Sequence, residues 1–322
     1  MKKTVRVAIT AGEPSGIGTE VAWKALARLP ADSLEILLVG PGEVWRRGFE
    51  AAGKPRSGKV TLVEVKADDL HWEWGKLNPA TAAAALASVE KAARMALAGE
   101  ADAIVTAPLT KEGLALAGSG APGHTELLGE LCAGVKPHMF FHAPDMNVIL
   151  VTTHLPLREV PDAVTPEAVL ETIRAAHTGL LADFGIANPR IAVAGLNPHA
   201  GENGRLGGED SRIIAPAVRE AVRQGIDAVG PLPADALFAR YHEDGYGAAV
   251  AMYHDQGLGP FKLKHMTDGV NVTLGLPIVR TSPDHGTAPA IAGKGVANPG
   301  SMEAAIVTAA SIARRRAGAC VR

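Results

Sequence analysis

Short apolar runs alternate along the chain with stretches whose apolar residues recur every third or fourth position. A run of the first kind fits a strand buried on both faces, and the second pattern fits a helix with one apolar stripe. Strands are expected at 5–10, 34–39, 61–65, 103–107, 147–153, 190–194, 248–253 and 270–274. Helices are expected at about 19–28 and at 78–98, 166–181, 210–224 and 302–315. The 78–98 stretch carries Ala, Leu and Val at helical spacing and little that favours a strand. Arg314, Arg315 and Arg316 suit the C-terminus of the last helix. Strands alternating with helices predict an α/β chain with a largely parallel core. No internal repeat or low-complexity linker marks a domain boundary.

At 322 residues the chain has material for two ordinary domains or one large one. It is 47% hydrophobic but only 4% aromatic, so aliphatic side chains must fill the core. Its 32 basic and 34 acidic residues are mixed along the chain, and no basic block points to nucleic acid or membrane lipid. No apolar run approaches the roughly 18–20 residues that span a bilayer. The basic, then apolar, start MKKTVRVAIT is broken by Arg6 and followed by a glycine-rich loop, so it reads as a first strand and not as a signal peptide. Cys132 and Cys320 are far apart and in no metal-type spacing, which fits two free thiols in a reducing cytoplasm.

Three histidines each follow a strand-like run: His154 in VTTHLPL, His199 in LNPHAGENG and His254 in AMYHDQG. Ligands of open α/β sheets collect at the carboxyl ends of the strands. Three imidazoles there would suit one divalent metal, with Asp255 as an added carboxylate; the alternative is three unrelated loop histidines. His124 and Thr125, in GHTELL, stand where a helix N-terminus would take a phosphate or carboxylate, or where Thr125 simply caps a helix. TAGEPSGIGTE has the glycine order G-x-x-x-G-x-G, so it is neither a dinucleotide fingerprint nor a P-loop, and it argues against a P-loop phosphotransferase. Lys262 and Lys264 follow His254 and suit phosphate binding or proton transfer, or a solvated surface strand. Asp235, in GPLPADALF, is a metal-site carboxylate or a helix N-cap. The segment SPDHGTAPAIAGKGVANPGSM is a long glycine-rich loop of the kind whose backbone N–H groups approach a flat or anionic ligand.

The motifs ITAGEPSGIGTE, TAPLTK, GHTELL, TTHLPL, LNPHAGENG, GPLPADALF, YHDQGL, GVNVTLGLPIVRTSPDHGTA and NPGSM follow one another through nearly the whole chain. In that order they resemble the motifs of the 4-hydroxythreonine-4-phosphate dehydrogenase (PdxA) family. The first loop departs from the family pattern, which more often has Pro after Thr and Ala before the second Gly. DHGTAPAIAGKGVANP also resembles the adenosine-binding loop of isopropylmalate and isocitrate dehydrogenases.

The resemblance implies a fold of two α/β domains of the isocitrate/isopropylmalate dehydrogenase-like type with a cleft between them. It implies an NAD-binding domain from 1–121 plus 272–322, and a metal, substrate and dimerisation domain at 122–271. His154, His199 and His254 would be metal ligands, for Zn, Mg, Co or a similar divalent ion. His124, Thr125, Lys262, Asn271 and Arg280 would be substrate contacts. Lys262, Asp235 and Asp255 are the candidates for the general base. Asp284, His285, Gly286, Thr287 and Asn298 would hold NAD, with NADP as the alternative. The family is dimeric, and its metal site draws on both subunits.

The implied reaction oxidises the C3 hydroxyl of 4-phosphohydroxy-L-threonine by hydride transfer. Loss of CO2 from the resulting β-keto acid leaves 3-amino-2-oxopropyl phosphate, a step in pyridoxal 5'-phosphate biosynthesis in the cytoplasm. Paralogues with the same residues resemble dehydrogenases of D-threonate or D-erythronate 4-phosphate, or of aromatic cis-dihydrodiols. A rival of another class is a non-catalytic metal or small-molecule binding module on the same scaffold.

Overall fold

The computed structural model describes residues 4–30, 34–53, 59–67 and 70–319. Cys320 lies outside them, and Cys132 is a buried free thiol. Tracing the chain gives β1 (Val5–Thr10), α1 (Gly18–Arg28), β2 (Leu34–Gly40), α2 (Gly42–Ala52), β3 (Lys59–Glu64), α3 (Pro79–Leu97), β4 (Ala103–Val105), α4 (Lys111–Leu116) and α5 (His124–Leu131). Next come β5 (His138–Ala143), β6 (Met146–Leu150), α6 (Val160–Ala163), α7 (Pro166–Gly179), β7 (Ile191–Ala194), α8 (Ala215–Arg223), β8 (Ala228–Leu232), α9 (Ala234–Ala239), β9 (Ala248–Ala251) and α10 (His254–His265). The chain closes with β10 (Val270–Leu274), β11 (Arg280–Pro283) and α11 (Gly300–Ala319).

Two compact α/β units result. One holds the described residues up to Pro137 together with those from Thr267 onward, and the other is His138–Met266. In the first unit the strand order is β3-β2-β1-β4-β11-β10. All its pairings are parallel except β10 with β11. β1 leads to β2 on one side while β4 pairs on the other, which makes the carboxyl ends of β1 and β4 a topological switch point. Helix α3 covers β1, β2 and β4, and α11 covers β1, β4, β10 and β11. In the second unit the order is β5-β6-β9-β7-β8, parallel apart from the β5–β6 hairpin.

Local chemistry explains the best-formed helices. Asn78 caps α3 by accepting from Thr81 N, Thr81 Oγ1 answers from the Asn78 backbone N–H, and Pro79 enters the first turn. Thr165 accepts from Ala168 N ahead of Pro166 and starts α7 the same way. Cores are aliphatic, as the composition requires. Ala8, Val39, Val89, Ile104 and Leu128 lie in that of the first unit. Val148, Leu150 and Ala249 join Phe141 and Phe261 in that of the second. Each buried Val, Leu, Ile or Phe among them contributes about 1.5–3 kcal/mol by leaving water.

Three differences from the sequence-based elements have physical causes. The helix expected at 210–224 is a π-helical turn, Asp210–Ile214, running into α8. Pro216 lacks the N–H that a continuous α-helix would need there, while the Asp210 carboxylate is engaged with the loop after β7. The segment after His254, for which the sequence offered a solvated surface strand, is helix α10, with Pro260 inside it. Strands β5, β8 and β11, each short, were not anticipated, and neither was helix α2.

Candidate active site

β6, β9 and β7 are adjacent parallel strands, and each carries one of the three histidines just beyond its carboxyl end. His154 and His254 meet, with ring centroids 5.9 Å apart. They line a pocket of about 340 Å³ together with Thr153, Leu155, Leu157, Val160, Tyr253 and Asp255. His254 is the first residue of α10, and its Nδ1 lies 2.6 Å from Asp255 Oδ1. With Nδ1 held by that carboxylate, Nε2 is the nitrogen left to bind a ligand.

His199 is held by a different device. His199, Ala200, Gly201, Glu202 and Asn203 all have positive φ, a left-handed turn five residues long. L-residues pay for that conformation, so something must enforce it. Asp210, 1% exposed, accepts from Leu196 N at 2.8 Å, Asn197 N at 3.3 Å and Asn197 Nδ2 at 2.9 Å. Gly201 fits because a Cβ there would lie 2.8 Å from Gly207 O. Gln256 links this region to the His254 segment, with Oε1 accepting from Met252 N and Nε2 donating to Gly195 O, both at 2.6 Å.

Among the described residues, no three His, Cys, Asp or Glu side chains gather closely enough to hold an ion. One chain thus brings together His154 and His254 but does not add His199 to them. Two imidazoles at neighbouring strand ends, one oriented by a carboxylate, fit a divalent metal whose remaining ligand comes from elsewhere.

In the first unit, His124 opens α5 behind the N-cap Gly123, and Thr125 is buried in the first turn without capping it. His124 Nε2 is buried with no hydrogen-bond partner. Burial, and then the charge of Arg280, hold its imidazole pKa down at about 3, so it is neutral at physiological pH. Arg280 is 2% exposed; burial pulls its pKa to about 10 against the opposing charge of Glu126, and it stays cationic. Asn271 Oδ1 is likewise buried without a partner. An enclosed cation close to a neutral imidazole whose Nε2 is uncommitted suits an anion, and the open Asn271 oxygen suits a donor.

The loop expected to hold NAD is also in this unit. Asp284 N donates to Ser301 Oγ at 2.8 Å, Thr287 O accepts from Ile17 N at 3.0 Å and Asn298 Oδ1 accepts from Gly300 N at 2.9 Å. His285 Nδ1 lies 3.0 Å from Gly286 O, and nothing stands within 4 Å of where a Gly286 Cβ would be. An anchored loop with open space at an exposed glycine fits close approach by a flat ligand. Lys262 is half-buried on α10, and Asp235 is exposed in the first turn of α9, where Pro233 holds the cap position.

Sequence reasoning missed Asp210 and Gln256; Asp210 is 13 and 14 positions from its backbone partners and left no local trace.

The family model described as "Pyridoxal phosphate biosynthetic protein PdxA" matches residues 23–309. A protein named 4-hydroxythreonine-4-phosphate dehydrogenase from Geobacter metallireducens is 46% identical over 96% of each chain. One from Oceanobacillus iheyensis, named provisionally as a D-threonate 4-phosphate dehydrogenase, is 39% identical over 97% of this chain and 99% of its own. The crystal structure of a 4-hydroxythreonine-4-phosphate dehydrogenase from Klebsiella pneumoniae superposes with a TM-score of 0.86 at 39% identity, covering 98% of this chain and 99% of that one. Isocitrate dehydrogenase from Methylococcus capsulatus shares the fold alone, at 15% identity and a TM-score of 0.51 over 99% of this chain and 90% of its own.

Proposed function

Because the chain belongs to the PdxA family of pyridoxal phosphate biosynthetic proteins, we propose that it oxidises and decarboxylates 4-phosphohydroxy-L-threonine to 3-amino-2-oxopropyl phosphate. It is a dehydrogenase of the two-unit α/β type shared with isocitrate dehydrogenase. It works with NAD and a divalent metal, as a cytoplasmic homodimer in pyridoxal 5'-phosphate synthesis. The observation that carries this reading is the enclosed Arg280 beside neutral His124, a cationic receptor made for an anionic end of a small substrate.

His154 and His254 would hold the metal, with His199 supplied across the homodimer. When bound, the metal supplies Lewis acidity toward the substrate hydroxyl and the ketone that follows, and NAD supplies the hydride acceptor. The remaining work falls to the chain's own side chains. Arg280, His124, Thr125, Asn271 and Lys262 bind and orient the substrate, and fixed orientation lowers the barrier by several kcal/mol. Lys262, Asp235 or Asp255 takes the proton of the C3 hydroxyl. The loop carrying Asp284, His285, Gly286, Thr287 and Asn298 holds the cofactor, in the unit that runs to Pro137 and resumes at Thr267.

A second reading keeps this scaffold and changes the substrate to D-threonate 4-phosphate, supported by the 39% identical relative of that name. NADH formation is followed with NAD, a divalent metal and each phosphorylated substrate in turn. Higher kcat/KM with 4-phosphohydroxy-L-threonine is the expected result. Preference for D-threonate 4-phosphate establishes the second reading, and no NADH from either substrate overturns both.

A further inference from the structure

Arg280 opens β11, the strand that lies between β4 and β10. Its Nε and Nη2 both donate to Oγ1 of Thr106, at 3.1 and 2.7 Å, and its Nη1 donates to Oγ1 of Thr273 at 2.9 Å. The strand registers make this geometry. Parallel pairing sets Arg280 beside Ile104, so Thr106, two residues on, shares the face to which the arginine points. The antiparallel register that pairs Val272 with Thr281 sets Thr273 across from Arg280 one step later. Both threonines are buried, at 0% and 1% exposure.

Both acceptors are neutral hydroxyls. Glu126 acts on Arg280 through space and accepts no hydrogen bond from it among the described residues. A guanidinium has five N–H donors; three are engaged, which leaves one on each terminal nitrogen. The hydrogens left on the two terminal nitrogens are available to two oxygens of one carboxylate or phosphate. The buried, unpartnered His124 Nε2 and Asn271 Oδ1 are independent evidence that something polar belongs in this unit's receptor.

We infer that Thr106 and Thr273 are positioning residues: their hydroxyls fix the Arg280 guanidinium in one orientation with its charge intact, so that it grips two oxygens of the substrate's anionic group. Aspartate at either position would cancel the charge, and valine would leave buried donors unmet. The inference rests on the proposed dehydrogenase reading only for which molecule carries the anion.

Thr106→Val and Thr273→Val, each beside its serine counterpart, are compared with the parent enzyme. Binding of inorganic phosphate and of malonate is measured by calorimetry, and KM and kcat on the phosphorylated substrate are measured in parallel. The valine variants are expected to bind one of the two anions about tenfold more weakly and to raise KM by a similar factor, with a smaller change in kcat. Serine, which keeps the acceptor, restores both. The anion that responds identifies the substrate group as phosphate or carboxylate. Should Thr106→Val not fold, Thr106→Cys keeps the volume and loses the strong acceptor. Folded valine variants that bind both anions as tightly as the parent overturn the inference, as do serine variants as impaired as valine. A parent that binds neither anion yet forms NADH overturns this inference and leaves the proposed function standing. The expected anion pattern without NADH from either substrate does the reverse.

Discussion

The buried carboxylate of Asp210 accepts the backbone N–H of Leu196 at 2.8 Å, and so ties the entry to α8 to the loop that presents His199. The left-handed turn at His199–Asn203 depends on that anchor, because five successive positive-φ residues do not hold themselves. Asp210→Ala leaves buried N–H donors unmatched and should cost about 1–3 kcal/mol in urea unfolding. The same variant should bind divalent metal more weakly in a chelator competition. Unchanged stability together with unchanged metal affinity would show that the turn is held by other means.

His254 and Asp255 form a second such pair, at 2.6 Å. The carboxylate holds Nδ1–H and leaves Nε2 free for an ion. Asp255→Asn should lower divalent-metal affinity about tenfold, toward the low end for such partners because its carboxylate is largely exposed. His199→Ala, or treatment with a strong chelator, should abolish turnover and leave the circular dichroism spectrum of the fold largely unchanged. Full activity in chelator-stripped protein would remove the metal from the proposed function.

Helices α1 and α2 approach each other through a glycine. A Cβ on Gly48 would stand 2.2 Å from Thr19 Oγ1, a distance no real side chain tolerates. Gly48→Val should therefore destabilise the protein by about 1–3 kcal/mol, read as a lower urea midpoint at an unchanged m-value.

His124 gives stability a definite pH dependence. Its pKa is about 3 in the folded protein, against an ordinary 6.5, since burial and Arg280 both oppose protonation. A depressed folded pKa contributes stability that is present above about 6.5 and lost as pH falls toward 3. His124→Gln should thus lose less stability than the parent between about pH 7 and pH 4. Equal losses in thermal midpoint would place His124 in water and not in a desolvated receptor.

Much of the architecture was legible in the sequence because burial and periodicity act locally. The apolar runs at 34–39 and 270–274 became β2 and β10, and the Ala, Leu and Val at helical spacing over 78–98 became α3. Elements whose identity depends on neighbours were not legible. Strand β11 carries the polar sequence RTSP and is a strand because β4 and β10 flank it. The segment after His254 has almost no amphipathic pattern and is helical despite Pro260.

The site divides along the same line. The sequence by itself determined the chemical types: three histidines beyond apolar strands, a polar helix entry at His124 and a glycine-rich loop from Asp284 to Asn298. Each is a local pattern or a run of motifs, so it can be seen without coordinates. Only the tertiary structure decided that His154 and His254 meet while His199 stands on a separate left-handed turn. The structure also decided that Asp210 holds that turn, and that Thr106 and Thr273 aim Arg280. Those relationships join residues 7 to 174 positions apart. They arise from strand register and buried hydrogen bonding, which couple distant parts of the chain and leave almost no mark on the pattern of any one segment.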